Sequence, residues 1–202
     1  MFASALAADV PGYEKRRDEW TTLADEAKPA FIDTFLNEHG YLYDYVNGTY
    51  ADPSVRPNMA VAIGLDYSPL DRRQRKGVLD VVTRELLTPK GLRTLSPKSY
   101  GYRPFYVGSP QEREQAYHNG PARPWLIGAY ADAYLKVYGH SGVGYIDRML
   151  IGFEDEMSQN CIGSVSQMYD GNPPYSGHGA ISQVSNVAEV LRTLRTLKKL
   201  NM

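Results

Sequence analysis

Residues 124–138 read PWLIGAYADAYLKVY, and their apolar side chains recur at the three- and four-residue spacing of an amphipathic helix. The same spacing is found in several other stretches, at residues 13–38, 59–65, 68–88, 141–157 and 181–200. Alternation of apolar and polar residues, the pattern typical of half-buried strands, is nearly absent from the chain. The sequence therefore predicts an all-α protein.

Three local signals refine the helix boundaries. Ser68-Pro69 predicts a helix start, because a serine oxygen can cap the first turn and proline suits the first helical position. Pro29 predicts a kink or a restart within the stretch 13–38. Phe2, Leu6 and Val10 have the spacing of a helix that is already in progress. We therefore expect the chain to be cut from something longer.

Composition excludes several classes of protein. The 202 residues contain 22 Lys+Arg and 23 Asp+Glu with a pI of about 6.4, which argues against a general nucleic-acid partner. No stretch approaches the roughly 20 apolar residues of a membrane span. A lone cysteine, Cys161, predicts a small half-buried hydrophobe, and no zinc-ligand spacing is present, so neither metal nor cofactor is expected. With no repeat and no linker, residues 1–202 are predicted to form one domain.

Tyrosine is over-represented, with 16 Tyr against 5 Phe and 2 Trp. Tyrosine can stack its ring on an apolar face and hydrogen-bond through its hydroxyl, so a surplus fits a polar binding surface such as one for sugars, although tyrosines also serve as half-buried core. Many of the tyrosines lie in three long loops, at residues 40–58, 88–124 and 161–179. Loops of this length in a compact domain are usually functional or disordered, and their Tyr, Arg, His and Asp content favours function.

The loops contain four candidate binding residues with open alternatives. Arg56 and Asn58 suit recognition of neighbouring hydroxyls, or else Asn58 caps the next helix while Arg56 closes the loop onto a carboxylate. His118 could donate to a substrate hydroxyl, or it could be structural. Asp170 could be a functional carboxylate, or it could close the turn at Asp170-Gly171.

The loop motifs occur together in a family order. They are Arg56-Pro-Asn58, Leu87-Thr-Pro-Lys-Gly-Leu-Arg93, Ala116-Tyr-His-Asn-Gly120 with Pro124-Trp-Leu126, and Tyr169-Asp-Gly-Asn-Pro-Pro174 with Asn186-Val-Ala-Glu-Val-Leu191. Together they resemble the C-terminal glucosidase domain of glycogen debranching enzymes over nearly the whole chain. The resemblance implies about half of an α/α six-barrel, a toroid of paired helices with long functional loops. It also implies inverting hydrolysis of the α-1,6-linked glucose at glycogen branch points.

The resemblance also implies roles for individual residues. The family's general acid is an Asp in a Trp-rich motif that precedes the segment matching Met1, and that motif is absent here. The family's general base is a Glu, and its position is occupied by Gln167, with Asp170 nearby as a substitute. Arg123 and Ser185 stand where the family often has Trp. The residues expected to line a glucose pocket are Arg56, Asn58, Arg93, Tyr117, His118 and Trp125.

Three hypotheses for function stay open at this point. The chain is the rear half of a debranching enzyme and inactive alone, or a relative that binds α-glucan without cleaving it, or a helical module that binds protein. The resemblance implies an α-glucan partner such as glycogen or a limit dextrin, a cytoplasmic location, and either a homodimer or a partner in the missing N-terminal half.

Overall fold

A computed structural model describes residues 2–159 and 161–201 of the chain; Met1, Asn160 and Met202, which the predicted domain included, lie outside the described residues. The chain is mostly helical, in agreement with the predicted fold class. The α-helices are α1 (Phe2–Ala8), α2 (Glu14–Phe35), α3 (Asn58–Gly64), α4 (Arg72–Glu85), α5 (Pro110–Ala116), α6 (Leu126–Tyr138), α7 (Val143–Leu150) and α8 (Val184–Leu200).

Short strands accompany the helices. A hairpin pairs β1 (Val46–Asn47) with β2 (Tyr50–Ala51), and a five-stranded antiparallel sheet contains β3 (Leu87–Thr88), β4 (Gly91–Arg93), β5 (Ala122–Arg123), β6 (Met168–Tyr169) and β7 (Gly177–His178) in that spatial order. The prediction of a purely helical chain did not include this sheet. Each strand has two or three residues, which is too short for an alternating pattern to be recognised in the sequence.

The core is built around α6. This helix buries seven of its thirteen residues and packs against α3, α4 and α8. Helices α3 and α6 approach closely at Gly64, where an added Cβ would lie 2.7 Å from the carbonyl oxygen of Ala129. Only a residue without a side chain fits this crossing, so the glycine allows the two backbones to meet.

Helix α2 is packed in a different way. None of its 22 residues is buried, and Leu23 keeps 62% of its surface exposed. Pro29 lies inside the helix, which runs from Glu14 to Phe35 without the expected restart. Proline removes one backbone donor from the ladder, yet the residues on both sides of it remain helical.

Two other boundaries differ from the prediction. The helix predicted to open at Ser68-Pro69 begins at Arg72, after a capping box in which Asp71 and Gln74 satisfy each other's backbone N–H groups. The predicted helix at residues 141–157 is divided into α7 and short 3₁₀ turns at Gly139–Gly142, Ile151–Phe153 and Glu156–Ser158. Among the helices described here, none is long and apolar enough to cross a membrane.

Candidate functional site

A cavity of about 350 Å³, which we call the central cavity, opens where the long loops meet the sheet. It is lined by loop residues and by residues at the starts of α3, α6 and α8: Arg56, Pro57, Asn58, Thr94, Tyr117, His118, Arg123, Trp125, Leu126, Gln167, Gln183, Ser185 and Asn186. Six of the eight residues that the sequence singled out are in this lining. The structure therefore brings together side chains that are separated by more than one hundred positions in the chain.

The five-stranded sheet positions three of these residues. Thr94 directly follows β4, Arg123 ends β5, and Gln167 directly precedes β6. Because β4, β5 and β6 are neighbours in the sheet, their pairing holds the three residues along one side of the cavity. The backbone N–H of Thr94 also donates to the carbonyl of Pro121, which extends the pairing beyond the strands.

Arg56 closes the first loop onto the second. Its Nη1 donates to the carbonyl oxygens of Thr94 (3.1 Å) and His118 (2.7 Å), and its Nη2 donates to Asn119 Oδ1 at 3.0 Å. Its Nε lies 3.7 Å from Asp44 Oδ2. Most of the guanidinium donors are thus used within the protein, which confirms that Arg56 closes the loop onto a carboxylate. The main role of Arg56 is therefore to form the wall of the cavity.

Asn58 is oriented by the same carboxylate. Its Nδ2 donates to Asp44 Oδ1 at 2.7 Å, so the amide oxygen and the second N–H of Asn58 are left for other partners. The cap position of α3 is Pro57, and Asn58 is the first residue of the helix, so the interpretation of Asn58 as a helix cap is wrong.

Gln167 and Tyr117 form a directional pair. The backbone N–H of Ala180 donates to Gln167 Oε1 at 3.0 Å, which fixes the amide so that its Nε2 faces Tyr117 and donates to that hydroxyl at 2.8 Å. The Tyr117 hydroxyl accepts in this pair, so its own proton is directed to another acceptor. A carboxylate at position 167 could only accept here, and the Tyr117 hydroxyl would then have to donate to it.

A guanidinium and an imidazole lie against the ring of Tyr117. The Arg123 guanidinium lies 4.0 Å from the centre of the Tyr117 ring, and its Nη2 donates to the Tyr117 carbonyl at 2.9 Å. The His118 ring meets the Tyr117 ring edge-on at 4.7 Å. Partial burial, together with the charges of Arg123 and Arg56, lowers the pKa of His118 below its usual 6.5. His118 is therefore a neutral imidazole at pH 7.

A buried asparagine connects the last helix to the cavity. Asn186 is fully buried. Its Oδ1 accepts from the backbone N–H of Trp125 at 3.0 Å. Its Nδ2 donates to the backbone carbonyls of Ser166 (2.6 Å) and Gln167 (3.2 Å). One side chain thus fixes the backbone at the start of α6 and at the Gln167 position. The indole of Trp125, 42% exposed, forms part of the rim.

The structure places two of the candidate residues outside this lining. Arg93 donates from Nε to the Gly171 carbonyl at 2.7 Å and from Nη1 to the carbonyls of Glu85 and Leu87, so it holds loops to the sheet. Asp170 is buried, and its Oδ1 accepts from His178 Nε2 at 2.8 Å and from the Tyr106 N–H at 3.1 Å.

Sequence reasoning did not propose several lining residues as site residues. Among them are Thr94, Arg123, Gln183, Ser185 and Asn186. The motif containing Asn186 was recognised, yet its amide role depends on contacts to residues 125, 166 and 167 that no spacing along the chain predicts. For Arg123, its position beside the Tyr-His-Asn motif was the available signal.

The chemistry of the cavity is defined by its side-chain types. Among the thirteen described residues that line it there is no Asp and no Glu, while Arg56 and Arg123 each carry a positive charge. Within residues 2–159 and 161–201, no group of three or more His, Cys, Asp or Glu side chains is arranged to hold a metal ion. The described lining can thus donate and accept hydrogen bonds and stack an aromatic ring, but it supplies no carboxyl group for proton transfer.

Comparison with known proteins agrees with these motifs. The family model described as amylo-alpha-1,6-glucosidase matches residues 2–192. A glycogen debranching enzyme of Saccharomyces cerevisiae is 31% identical over 107 residues, which is 49% of this chain and 7% of the yeast protein. The chain thus aligns with only a small part of that relative. Because the family model spans nearly the whole sequence, the chain belongs to the amylo-alpha-1,6-glucosidase family.

Proposed function

We propose that the central cavity binds the α-1,6-linked glucose of a glycogen-type glucan. The observation that carries the proposal is the combination, in one 350 Å³ space, of an exposed indole at Trp125 with the amide and hydroxyl groups of Asn58, Tyr117 and Gln167. Such a set can pack against the apolar face of a pyranose and hydrogen-bond its hydroxyls. Membership of the amylo-alpha-1,6-glucosidase family supports this substrate class.

We further propose that the isolated chain binds this sugar without hydrolysing it. Inverting hydrolysis needs two carboxyl groups roughly 6.5–9.5 Å apart, one to protonate the leaving oxygen and one to activate water. Gln167 stands at the base position, and an amide cannot take up a proton from water at neutral pH, which removes a contribution of about 10²–10⁴ to the rate. The lowered pKa of His118 disfavours the imidazolium form that it would need in order to act as the acid.

Asp170 is a poor substitute for the base. Both its hydrogen-bond partners, His178 and the Tyr106 N–H, hold the carboxylate against the sheet, outside the residues that line the cavity. We assign Asp170 and Arg93 to positioning the loops, and Arg56, Asn58, Tyr117, His118 and Trp125 to the sugar site.

The direct test of both proposals uses the purified 202-residue chain and two readouts. We expect isomaltose, an α-1,6-linked disaccharide, to bind by calorimetric titration, and we expect no glucose to be released from a phosphorylase limit dextrin. Tyr117→Ala should abolish isomaltose binding. Absence of isomaltose binding by the unaltered chain would reject the sugar site in the central cavity.

A substitution at position 167 distinguishes the absence of the base from the absence of the acid. Gln167→Glu restores the family's carboxylate, and Gln183→Glu introduces the same change elsewhere in the lining as a matched control. Because the chain would still lack an acid, neither variant should release glucose from the limit dextrin. Release by Gln167→Glu alone would demonstrate that another residue of the chain supplies the acid.

Membership of the amylo-alpha-1,6-glucosidase family also supports proposals about the architecture of the chain and its partners. We propose that α3, α4, α6 and α8, which pack on one another, are helices of an α/α barrel of which this chain forms part. The exposed apolar side chains of α1, α2 and the turn between them, including Leu6, Val10 and Leu23, support a contact face for a second copy or for further segments of a longer debranching protein. Sedimentation of the chain distinguishes the two, since a homodimer predicts twice the monomer mass. The cytoplasmic location stays a prediction.

A further inference from the structure

A second cleft lies beside the central cavity and has a different chemistry. It encloses about 650 Å³, and we call it the tyrosine cleft because Tyr41, Tyr50 and Tyr100 line it together with Glu85, Ser96 and Lys98. Its walls also include the segment from Asp52 to Val55. None of these residues belongs to the proposed glucose site.

Exposed aromatic rings dominate the rim of this cleft. Tyr100 is fully exposed and Tyr50 is 54% exposed, while Tyr45 supports Tyr50 with its ring centre 5.7 Å away. Tyr41 is fixed by a hydrogen bond from its hydroxyl to the carbonyl of Pro53 at 3.1 Å. Flat rings at the mouth of a polar cleft offer stacking area to a ligand at a low cost in conformational entropy.

The floor of the cleft is a buried carboxylate that is held in place. Glu85 Oε2 accepts from the Ser96 hydroxyl at 2.7 Å, and Oε1 accepts from Lys98 Nζ at 3.0 Å and from Arg84 Nη2 at 3.3 Å. Burial raises the pKa of Glu85, but these hydrogen bonds together lower it below the usual 4.5. The carboxylate therefore remains ionised at pH 7, fixed in position as an acceptor.

The charges of the cleft cancel. Its Asp and Glu residues, Asp52 and Glu85, are matched by Arg84 and Lys98. A site with no net charge and with an ordered acceptor disfavours phosphate, nucleic acid and acidic peptides, and it favours an uncharged ligand rich in hydroxyl groups.

The two sites are adjacent in the fold. Residues 53–58 and 94–99 run alongside each other, joined by hydrogen bonds from the Ser96 N–H to the Val55 carbonyl at 3.0 Å and from Arg56 Nη1 to the Thr94 carbonyl. Thr94 lines the central cavity and Ser96 lines the tyrosine cleft. Only Leu95 separates these two residues in the chain, so the two linings adjoin each other at this segment.

From this arrangement we infer that the tyrosine cleft is a second α-glucan site, which holds a neighbouring part of the same polymer whose α-1,6-linked glucose enters the central cavity. The inference rests on the proposed function for the choice of ligand. The exposed tyrosine rings, the balanced charges and the hydroxyl-compatible polar groups of the cleft carry it independently of the cavity residues.

The experiment compares a polymer with a disaccharide. Glycogen binding is measured by affinity electrophoresis, and isomaltose binding by calorimetry, for the unaltered chain, for the double variant Tyr50→Ala/Tyr100→Ala, and for Tyr13→Ala. Tyr13 is a matched control, since it is an exposed tyrosine in the turn between α1 and α2. Thermal unfolding verifies that the three proteins are equally folded.

We expect the double variant to bind glycogen about tenfold more weakly, a change that corresponds to roughly 1.4 kcal/mol, and to bind isomaltose as the unaltered chain does. Tyr13→Ala should match the unaltered chain in both measurements. Undiminished glycogen affinity in the double variant overturns the second site, as does absence of glycogen binding by the unaltered chain. If glycogen affinity falls as expected while isomaltose never binds, the second site stands and the proposed function of the central cavity fails.

Discussion

The central cavity and the tyrosine cleft are both lined by the segments 53–58 and 94–99, but their side chains differ in charge and exposure. The cavity has two arginines and no described carboxylate, and its wall depends on buried amides such as Asn186. The cleft has balanced charges, one buried carboxylate and exposed rings. Polar groups of the cavity therefore hold the fold together as well as facing a ligand, whereas the fully exposed ring of Tyr100 in the cleft is available for binding.

The largest effect is expected at the buried amide of the cavity. Asn186→Ala removes the partners of the Trp125 N–H and of the Ser166 carbonyl. Each buried group that is left unpaired costs about 1–3 kcal/mol, so the free energy of unfolding should fall by about 2–4 kcal/mol. Urea unfolding measures the change, with Asn201→Ala at an exposed position as the control. Equal losses in both variants would contradict the role of Asn186 as the link between α6 and α8.

A smaller effect is expected when the carboxylate of the cleft is protonated. Because the pKa of Glu85 in the folded chain lies below the usual 4.5, its ionised form stabilises the fold above that pH, and the contribution is lost as the pH falls through the folded-state pKa. The loss from this group should be smaller than that from Asn186→Ala, because it reflects only the difference between the folded and unfolded titrations of one carboxyl. Unfolding measured from about pH 6 to about pH 3 should show a steeper decline for the unaltered chain than for Glu85→Gln. Parallel curves would contradict the account.

His118 should give a weaker pH dependence in the central cavity. Its lowered pKa means that the unfolded chain binds the proton more readily, so stability falls as the pH drops below about 6.5. Since the side chain is partly exposed, the loss should stay under about 1 kcal/mol. The imidazole titration followed by NMR should have its midpoint below 6.5, with the signal assigned by its absence in His118→Gln. A midpoint at or above that value would remove the proposed influence of Arg56 and Arg123.

The smallest effect on stability is expected from Lys98, the exposed partner of the Glu85 carboxylate. Lys98 pairs with Glu85 at 3.0 Å, but 70% of its side chain is exposed. Exposed ion pairs contribute about 0–1 kcal/mol, so Lys98→Ala should change the free energy of unfolding by less than about 0.5 kcal/mol. A loss as large as that of Asn186→Ala would show that the cleft is as integral to the fold as the cavity.

Two of the three Ser-Pro pairs in the chain explain which helix starts could be predicted. Ser68-Pro69 is not followed at the third position by Glu or Gln, and the helix begins later, at the Asp71–Gln74 capping box. Ser109-Pro110 opens α5, where Glu112 completes a capping box. We did not predict α5, because its sequence PQEREQA has no apolar periodicity. The capping box was thus the better signal in both places.

The candidate site could be predicted only as far as local motifs reach. The resemblance named six residues that line one cavity, since each lies in a loop motif that is readable in the sequence. The placement of Arg93 and Asp170 away from that lining depends on their long-range hydrogen bonds to Gly171 and His178. Tyr41 and Tyr50 come from the first long loop and Tyr100 from the second, so their common cleft could not be predicted from composition.

We have proposed that the central cavity binds an α-1,6-linked glucose and that the chain alone does not cleave it. A single NMR sample of the 202-residue chain with isomaltose tests both parts. We predict saturation transfer from the protein to isomaltose, lost in Tyr117→Ala, with no accumulation of the anomeric signals of free glucose. Steady appearance of glucose that stops in Gln167→Ala, or absence of transfer to isomaltose, would contradict the account.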